Sequence, residues 1–254
     1  MKVLVLLLAL NFTLLAQAEV DTKVEALVRS YPKGFYTLGE VGKSFKLWGT
    51  VDKKKPFYGF ARVAGQIKSS VAINKAQASL EIYPISFFGL STGFSKSSRE
   101  FNEFDAFDCQ VIACRSSNVE RKFFEAKMAL AAGPVYFVQR IKWTKTELKD
   151  KMNQIYAEEL ANLIGRAGGD TLLEKISILG YKLTSTYEIG ALYKNNSMKH
   201  LRNRSSMQVL IGRYLQKDYV ITLGLGTYRT RWKSNNATAL AIWTWTPSKG
   251  MLLF

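Results

Sequence analysis

From residue 57 onward, apolar and polar positions alternate in short runs separated by turn residues. Within 76–83, Ala78, Leu80 and Ile82 share one face, while Gln77, Ser79 and Glu81 share the other. Within 87–96, Phe88, Leu90 and Phe94 oppose Gly89, Ser91, Gly93 and Ser95. Phe124, Ala126, Met128 and Leu130 oppose Glu125 and Lys127; Tyr187, Ile189, Ala191 and Tyr193 oppose Glu188, Gly190 and Lys194. Ile221, Leu223 and Leu225 oppose Thr222, Gly224 and Gly226. Successive side chains of an extended chain point to opposite sides, so a period of two predicts amphipathic β-strands. The runs divide into about ten: 57–68, 76–83, 87–96, 122–132, 135–146, 172–182, 187–195, 206–215, 219–231 and 238–246. Counts of eight or twelve are the alternatives.

The connections fall into two classes. Those around Pro84, Pro134, Thr184 and Lys217 are tight; the others tend to be longer and more polar. One long connection carries Met152, Ile155, Tyr156, Leu160, Leu163 and Ile164 at spacings of three and four, which predicts an amphipathic helix within 148–166, ended by Gly168-Gly169. Such a helix could cap one end of the assembly, lie on a membrane surface, or pack only on its own loop. Ahead of the alternating region, Val24, Leu27 and Val28 have helical spacing over 22–30, and 45–51 reads as a short strand.

Composition narrows the class. The 254 residues are 47% hydrophobic and 13% aromatic, with no later run approaching the roughly 18 apolar residues that a membrane-spanning helix needs. A helical membrane protein is therefore excluded. The chain opens Met1-Lys2, continues apolar to Leu15, and presents Ala16-Gln17-Ala18, the small-x-small pattern of a cleaved secretory signal. The expected organisation is a signal over 1–18, an N-terminal periplasmic segment over 19–56, and a β-barrel over 57–254. Loss of Lys2 leaves 36 − 1 = 35 basic against 20 acidic residues, a charge of 35 − 20 = +15. That charge suits anionic surroundings such as lipid head groups, lipopolysaccharide or nucleic acid, and export argues against the last.

Alternation alone does not separate a soluble exported barrel from a membrane one. Glycines 89, 93, 190, 224 and 226 sit on the charged face, as a narrow interior requires. Aromatics flank the tight turns: Tyr83 and Phe87, Tyr136 and Phe137, Tyr181 and Tyr187, Tyr214 and Tyr219. That is the arrangement of an interfacial girdle. A Lys or Arg facing lipid at mid-depth costs about 2–4 kcal/mol, so Lys127 and Arg140 are expected to point inward. Single charges in a narrow interior are costly unless paired. The expected lumen charges are Arg62, Glu81, Glu125, Lys127, Arg140, Lys142, Lys175, Glu188 and Lys194, joined as internal ion pairs.

Signal, amphipathic hairpins, girdle aromatics and the terminal Phe254 together resemble the bacterial outer-membrane β-barrel proteins. The resemblance covers about 57–254 and is one of class. It implies an all-β, antiparallel up-and-down transmembrane barrel, an outer-membrane location, lipid and lipopolysaccharide around it, and the barrel-assembly machinery as a folding partner. The closing pattern departs from the class at Pro247, Ser248 and Gly250. The stretch 78–89 and Phe107-Asp108-Cys109 are also similar to uncharacterised barrel proteins of predatory Gram-negative bacteria, which implies no activity.

Candidate chemistry is sparse. Cys109 and Cys114, close together in a predicted external loop, are expected to form a disulfide in an oxidising compartment. Two cysteines with the sole histidine distant in sequence do not make a metal site. His200 could serve catalysis only with partners, and no nucleophile motif surrounds it. No catalytic residue and no cofactor is therefore expected. Lys199, Arg202, Arg204, Arg229, Arg231 and Lys233 form basic clusters at one end and are candidates for lipopolysaccharide contact, with a solvated rim as the alternative. The reading is a narrow barrel, largely filled by charged pairs, with a structural or surface-interaction role. A small anion-favouring channel is the alternative, and a lipid-modifying enzyme is disfavoured.

Overall fold

The computed structural model describes residues 18–51, 57–70, 72–100, 107–151, 154–158, 161–230 and 235–252. Twelve strands close into one antiparallel barrel. They are β1 (Ala18–Arg29), β2 (Gly34–Trp48), β3 (Gly59–Ser69), β4 (Ile73–Ile85), β5 (Phe88–Glu100), β6 (Arg115–Ala132) and β7 (Val135–Leu148), then β10 (Asp170–Lys182), β11 (Tyr187–Met198), β12 (Arg204–Leu215), β13 (Tyr219–Thr230) and β14 (Asn236–Lys249). Between β7 and β10 the chain makes a separate hairpin, β8 (Ile155–Glu158) and β9 (Leu163–Arg166). Each barrel strand pairs with its neighbour in chain order, and β1 closes the ring on β14 with Leu27 opposite Ile242.

The count corrects the expectation of ten, and its source is the opening segment. Residues 19–56, expected to precede the barrel, supply β1 and β2. The helix expected over 22–30 is strand. Val24, Leu27 and Val28 satisfy helical spacing, but Val20, Thr22, Val24, Ala26 and Val28 also alternate with Asp21, Lys23, Glu25, Leu27 and Arg29. With twelve paired positions on β2 and β14 on its other side, the strand pattern wins. The short strand over 45–51 is the end of β2. The signal and Phe254 lie outside the described residues.

The two faces of the wall are opposite to those of a soluble barrel. Outward positions are apolar and open, with Leu210, Leu225 and Ile67 about 70% exposed (73%, 71% and 69%). Inward positions hold Arg62, Glu81, Glu125 and Glu188, all buried. Soluble proteins bury the first kind and expose the second; only an apolar solvent outside reverses the preference. Near the tight turns, Tyr187, Tyr214 and Tyr219 line up on the outside with ring centroids 5.3 and 6.4 Å apart, and Phe57 meets Phe87 edge-on at 6.1 Å. Toward the other end Phe94, Phe124 and Trp143 form a second outward aromatic level.

Among the described residues there is no helix. Within 148–166, where one was expected, β8 and β9 pair as an antiparallel hairpin, with Ile155 opposite Arg166 and Glu158 opposite Leu163. Asn162 takes a left-handed conformation (φ 50°), which an L-residue rarely adopts inside a helix and which suits a turn. Gly165 lets the Tyr156 ring lie against its backbone: a Cβ there would come within 2.6 Å of the ring.

Candidate functional site

The alternation that builds the wall also delivers charged side chains to its interior at every second position. Arg62 on β3 is the centre of the first cluster and is 2% exposed. Its Nε donates to Asp21 Oδ2 (2.9 Å), Nη1 to Glu81 Oε1 (2.8 Å), and Nη2 to Glu40 Oε1 (2.7 Å) and to Asp21 Oδ1. The guanidinium fork thus holds three carboxylates from β1, β2 and β4, the geometry in which Arg pairs best. The acids are tied in turn: Gln66 donates to Glu40 (2.8 Å) and the Tyr83 hydroxyl to Glu81 (2.9 Å). Gly42 provides the space, since a Cβ there would lie 2.3 Å from Arg62 Nε.

From Glu81 the charges continue around the wall with alternating sign. Lys127 lies 3.6 Å from Glu81 and 3.5 Å from Glu125. Arg140 lies 3.0 Å from Glu125 and 3.4 Å from Glu174, and Lys194 lies 2.6 Å from Glu174. Lys142 adds a 3.7 Å contact to Glu125 and sits 4.0 Å from the centre of the Phe123 ring. The chain of pairs runs over β1, β2, β3, β4, β6, β7, β10 and β11. A second small cluster sits toward the tight-turn end: Arg213 donates to Glu188 (2.6 Å) and to the Tyr136 hydroxyl (3.0 Å), which itself donates to Glu188 (2.9 Å).

Eight of the nine expected lumen charges are therefore inside: Arg62, Glu81, Glu125, Lys127, Arg140, Lys142, Glu188 and Lys194. Lys175 is a correction. It points outward with Leu173, Ser177 and Leu179, because Glu174, Ile176 and Ile178 take the inner side of β10. Both faces of that strand mix apolar and polar residues, since the interior over β10–β14 is itself apolar: Val209, Ile211 and Leu240 are buried there, with Ile178, Leu192 and Ile242 packed against them. Asp21, Glu40, Glu174 and Arg213 join these clusters and were not among the expected lumen charges. The first two lay in the segment not taken as strand, although Glu19, Asp21, Lys23 and Glu25 alternate cleanly with Val20, Thr22 and Val24.

The hairpin lies across the loop end of the barrel. Arg99 on β5 donates to the carbonyls of Ala157 and Ala113 (the latter 2.9 Å). From the other side, the Tyr228 hydroxyl on β13 donates to the Ala161 carbonyl (2.6 Å), joined by Ser205 (2.7 Å). In ring order β5 and β13 are six strands apart, so these grips come from opposite walls. Asn203 closes a two-way pair with Ile164: Nδ2 donates to its carbonyl (2.8 Å) and Oδ1 accepts from its N–H (3.2 Å). Arg121 on β6 lies 3.7 Å from Glu158. Val119, Leu148, Tyr156, Leu163, Leu172 and Met198 fill the space beneath as one buried cluster. The expected disulfide is present: Cys109 and Cys114 are joined, and Ala113 in that loop bridges to Tyr156. At the opposite end Met251 is buried with Tyr58, Phe60 and Tyr83, and Tyr58 donates to its carbonyl (2.9 Å).

His200 sits on the rim in the turn 199–203. Its Nδ1 lies 2.9 Å from Oδ1 of the fully buried Asp170, which also accepts from the N–H of Thr171 and of Arg166. The pair joins this turn to the base of the hairpin. One run does have Gly-x-Ser-x-Gly spacing, Gly89-Leu90-Ser91-Thr92-Gly93, but it is a regular stretch of β5 without the sharp strand-to-helix turn that exposes such a serine. Ser91 faces the lumen between Glu81 and Glu125, mid-strand, while His200 is at the rim beyond β11. Among the described residues no group of three or more His, Cys, Asp or Glu is placed to hold a metal ion. Of the basic rim candidates, Lys199 and Arg202 lie in the turn, Arg204 begins β12, and Arg229 donates to Asn235 (2.7 and 3.0 Å); Arg231 and Lys233 lie outside the described residues.

No family model and no curated protein matches this chain, so the likeness to barrels of predatory bacteria finds no support. Solved structures match at the level of overall shape. A KdgM porin in complex with disordered oligogalacturonate is 11% identical, with 89% of this chain and 98% of that chain covered and a TM-score of 0.44. An outer-membrane-expressed OmpT of Vibrio cholerae is 8% identical, covering 90% and 97%, at 0.44. The translocator domain of the autotransporter NalP from Neisseria meningitidis is 10% identical, covering 93% and 94%, at 0.34. At such values they carry no inference about activity.

Proposed function

We propose that this chain is an integral outer-membrane β-barrel whose interior is closed, serving a structural or surface-interaction role with its disulfide-stapled loop and hairpin on the outside. The tight turns then face the periplasm and the long loops the exterior, the usual asymmetry of such barrels. The observation that carries the closed reading is the hairpin held from opposite walls by Arg99 and Tyr228. Beneath it, the ion-pair chain occupies the middle of the lumen. Lipopolysaccharide is the expected outer neighbour, and the barrel-assembly machinery the expected route of insertion. The reading gives His200 an anchoring role, with no part in catalysis.

Planar-bilayer recording tests this. The whole chain is expected to give no open-channel steps, and replacement of 155–166 by a short Gly-Ser linker is expected to give them. Steps from the unaltered protein would overturn the closed reading.

One observation favours the channel as a second reading. Arg29 and Lys68 also sit on the inner wall, over the rings of Tyr228 (5.7 Å) and Tyr36 (3.5 Å). A lumen biased toward positive charge selects anions. If the linker variant conducts, its reversal potential in a salt gradient should lie on the anion side.

A further inference from the structure

Outside the barrel, four lysines stand on consecutive strands: Lys96 on β5, Lys122 on β6, Lys145 on β7 and Lys175 on β10. Their outward direction follows from register. Phe94 is opposite Lys122, Lys122 opposite Lys145, and Phe124 opposite Trp143. Phe94 and Phe124 are half exposed on the same face, so the lysines share the lipid-facing side. Lys96, Lys122 and Lys145 each lie two residues beyond Phe94, Phe124 and Trp143 toward the loop end, and Lys175 lies two outward positions beyond Leu179. Lys96, Lys122 and Lys145 therefore sit where the outward aromatic level stops, and Lys175 stands between Ser177 and Leu173 on the same outward face.

The row is incompletely neutralised. Lys96 reaches Glu120 (3.4 Å) and Lys145 reaches Glu147 (2.9 Å), but Lys149 shares both acids. Lys122 and Lys175 are exposed and have no ion pair among the described residues. Lys122 and Lys145 face each other directly across β6 and β7, a like-charge arrangement that destabilises a sheet unless an anion lies between. On β11 to β14, among the described residues, the outward positions at the end of the apolar band are Asn195, Gln208, Thr227 and Ala239, with Arg204 and Arg229 farther toward the loops.

We propose that this row binds the phosphate groups of an anionic outer-leaflet lipid, whose acyl chains would lie against Phe94, Phe124 and Trp143. Ammonium groups at a membrane surface attract anionic head groups, and the aromatics beneath set the depth. This site is separate from the rim candidates around residues 199–204 and 229, and it rests on the membrane reading above.

The test uses the whole chain purified in a neutral detergent, with unfolding temperature read from the loss of its compact, heat-modifiable form. Titration with diphosphorylated lipid A is expected to raise that temperature progressively. The triple variant Lys122→Gln, Lys145→Gln, Lys175→Gln should bind on the order of a hundredfold more weakly, at about fivefold per lysine near an anionic surface. The corresponding triple arginine variant should retain the effect. Dephosphorylated lipid A and inorganic phosphate should each have little effect. An equal rise in the glutamine variant, or with dephosphorylated lipid, would overturn the proposal, as would a rise with inorganic phosphate alone. A protein that never shows a compact form in detergent would instead sink the membrane reading itself.

Discussion

At the scale of single residues, Arg62 shows what a lumen charge does. It holds Asp21, Glu40 and Glu81 together, so removing it leaves three carboxylates facing one another in a buried place. Truncating one partner of a buried ion pair typically costs about 3–5 kcal/mol. Arg62→Met should lower denaturant stability in detergent by that order, and adding Glu81→Gln should recover part of it. Gly42→Leu tests the same cluster by volume, since the new side chain must displace a guanidinium that four hydrogen bonds hold; a loss of about 1–3 kcal/mol is expected in the same unfolding measurement. Arg62 and Glu81 were legible in the sequence because the lipid penalty forces charge inward wherever the opposite face is clearly apolar. Lys175 was not, because Glu174 and Lys175 are adjacent charges on a strand whose two faces are equally mixed. Only the pairing of Glu174 with Arg140 and Lys194 decides which of them turns in.

At the scale of elements, the β8–β9 hairpin is the part that sequence patterns described least well. Ile155, Tyr156, Leu163 and Ile164 fit both a helical and an extended period, so periodicity cannot choose. The choice is made by partners distant in the chain: Arg99, Asn203, Ser205 and Tyr228 supply hydrogen bonds to backbone groups that a helix would have satisfied internally. Tyr228→Phe combined with Asn203→Ala should make the hairpin accessible to added protease while the barrel stays compact on an unheated gel. The disulfide belongs to the same cap. Its short ring constrains the unfolded loop by about 2 kcal/mol, and that constraint is local. Reduction should therefore speed cleavage in 107–114 and leave the heat-modifiable migration of the barrel unchanged. The disulfide was legible from spacing and compartment; its contact with β8 through Ala113 was not, because nothing in either segment names the other.

At the scale of the whole molecule, the arrangement follows from one inversion: polar groups inside, apolar groups outside. The ten strands from residue 57 onward were legible because glycine and charge share one face while Leu, Phe and Tyr share the other. The first two strands were not. Gly34, Gly39 and Gly42 thin the pattern of β2, and β1 has an accidental helical spacing. The inversion predicts detergent extraction together with slower gel migration after boiling, and a chain recovered in the aqueous periplasmic fraction would contradict it.

The hairpin also has a mechanical consequence. Its backbone is gripped by β5 and β13, which lie diametrically across the ring. A cylinder with a tie across one end resists becoming oval, and the tie is strained by any force that flattens the wall. Hairpin and wall then open as one unit, so amides at the loop ends of β5 and β13 should exchange hydrogen at matching rates, and should speed up together once the hairpin is cut away.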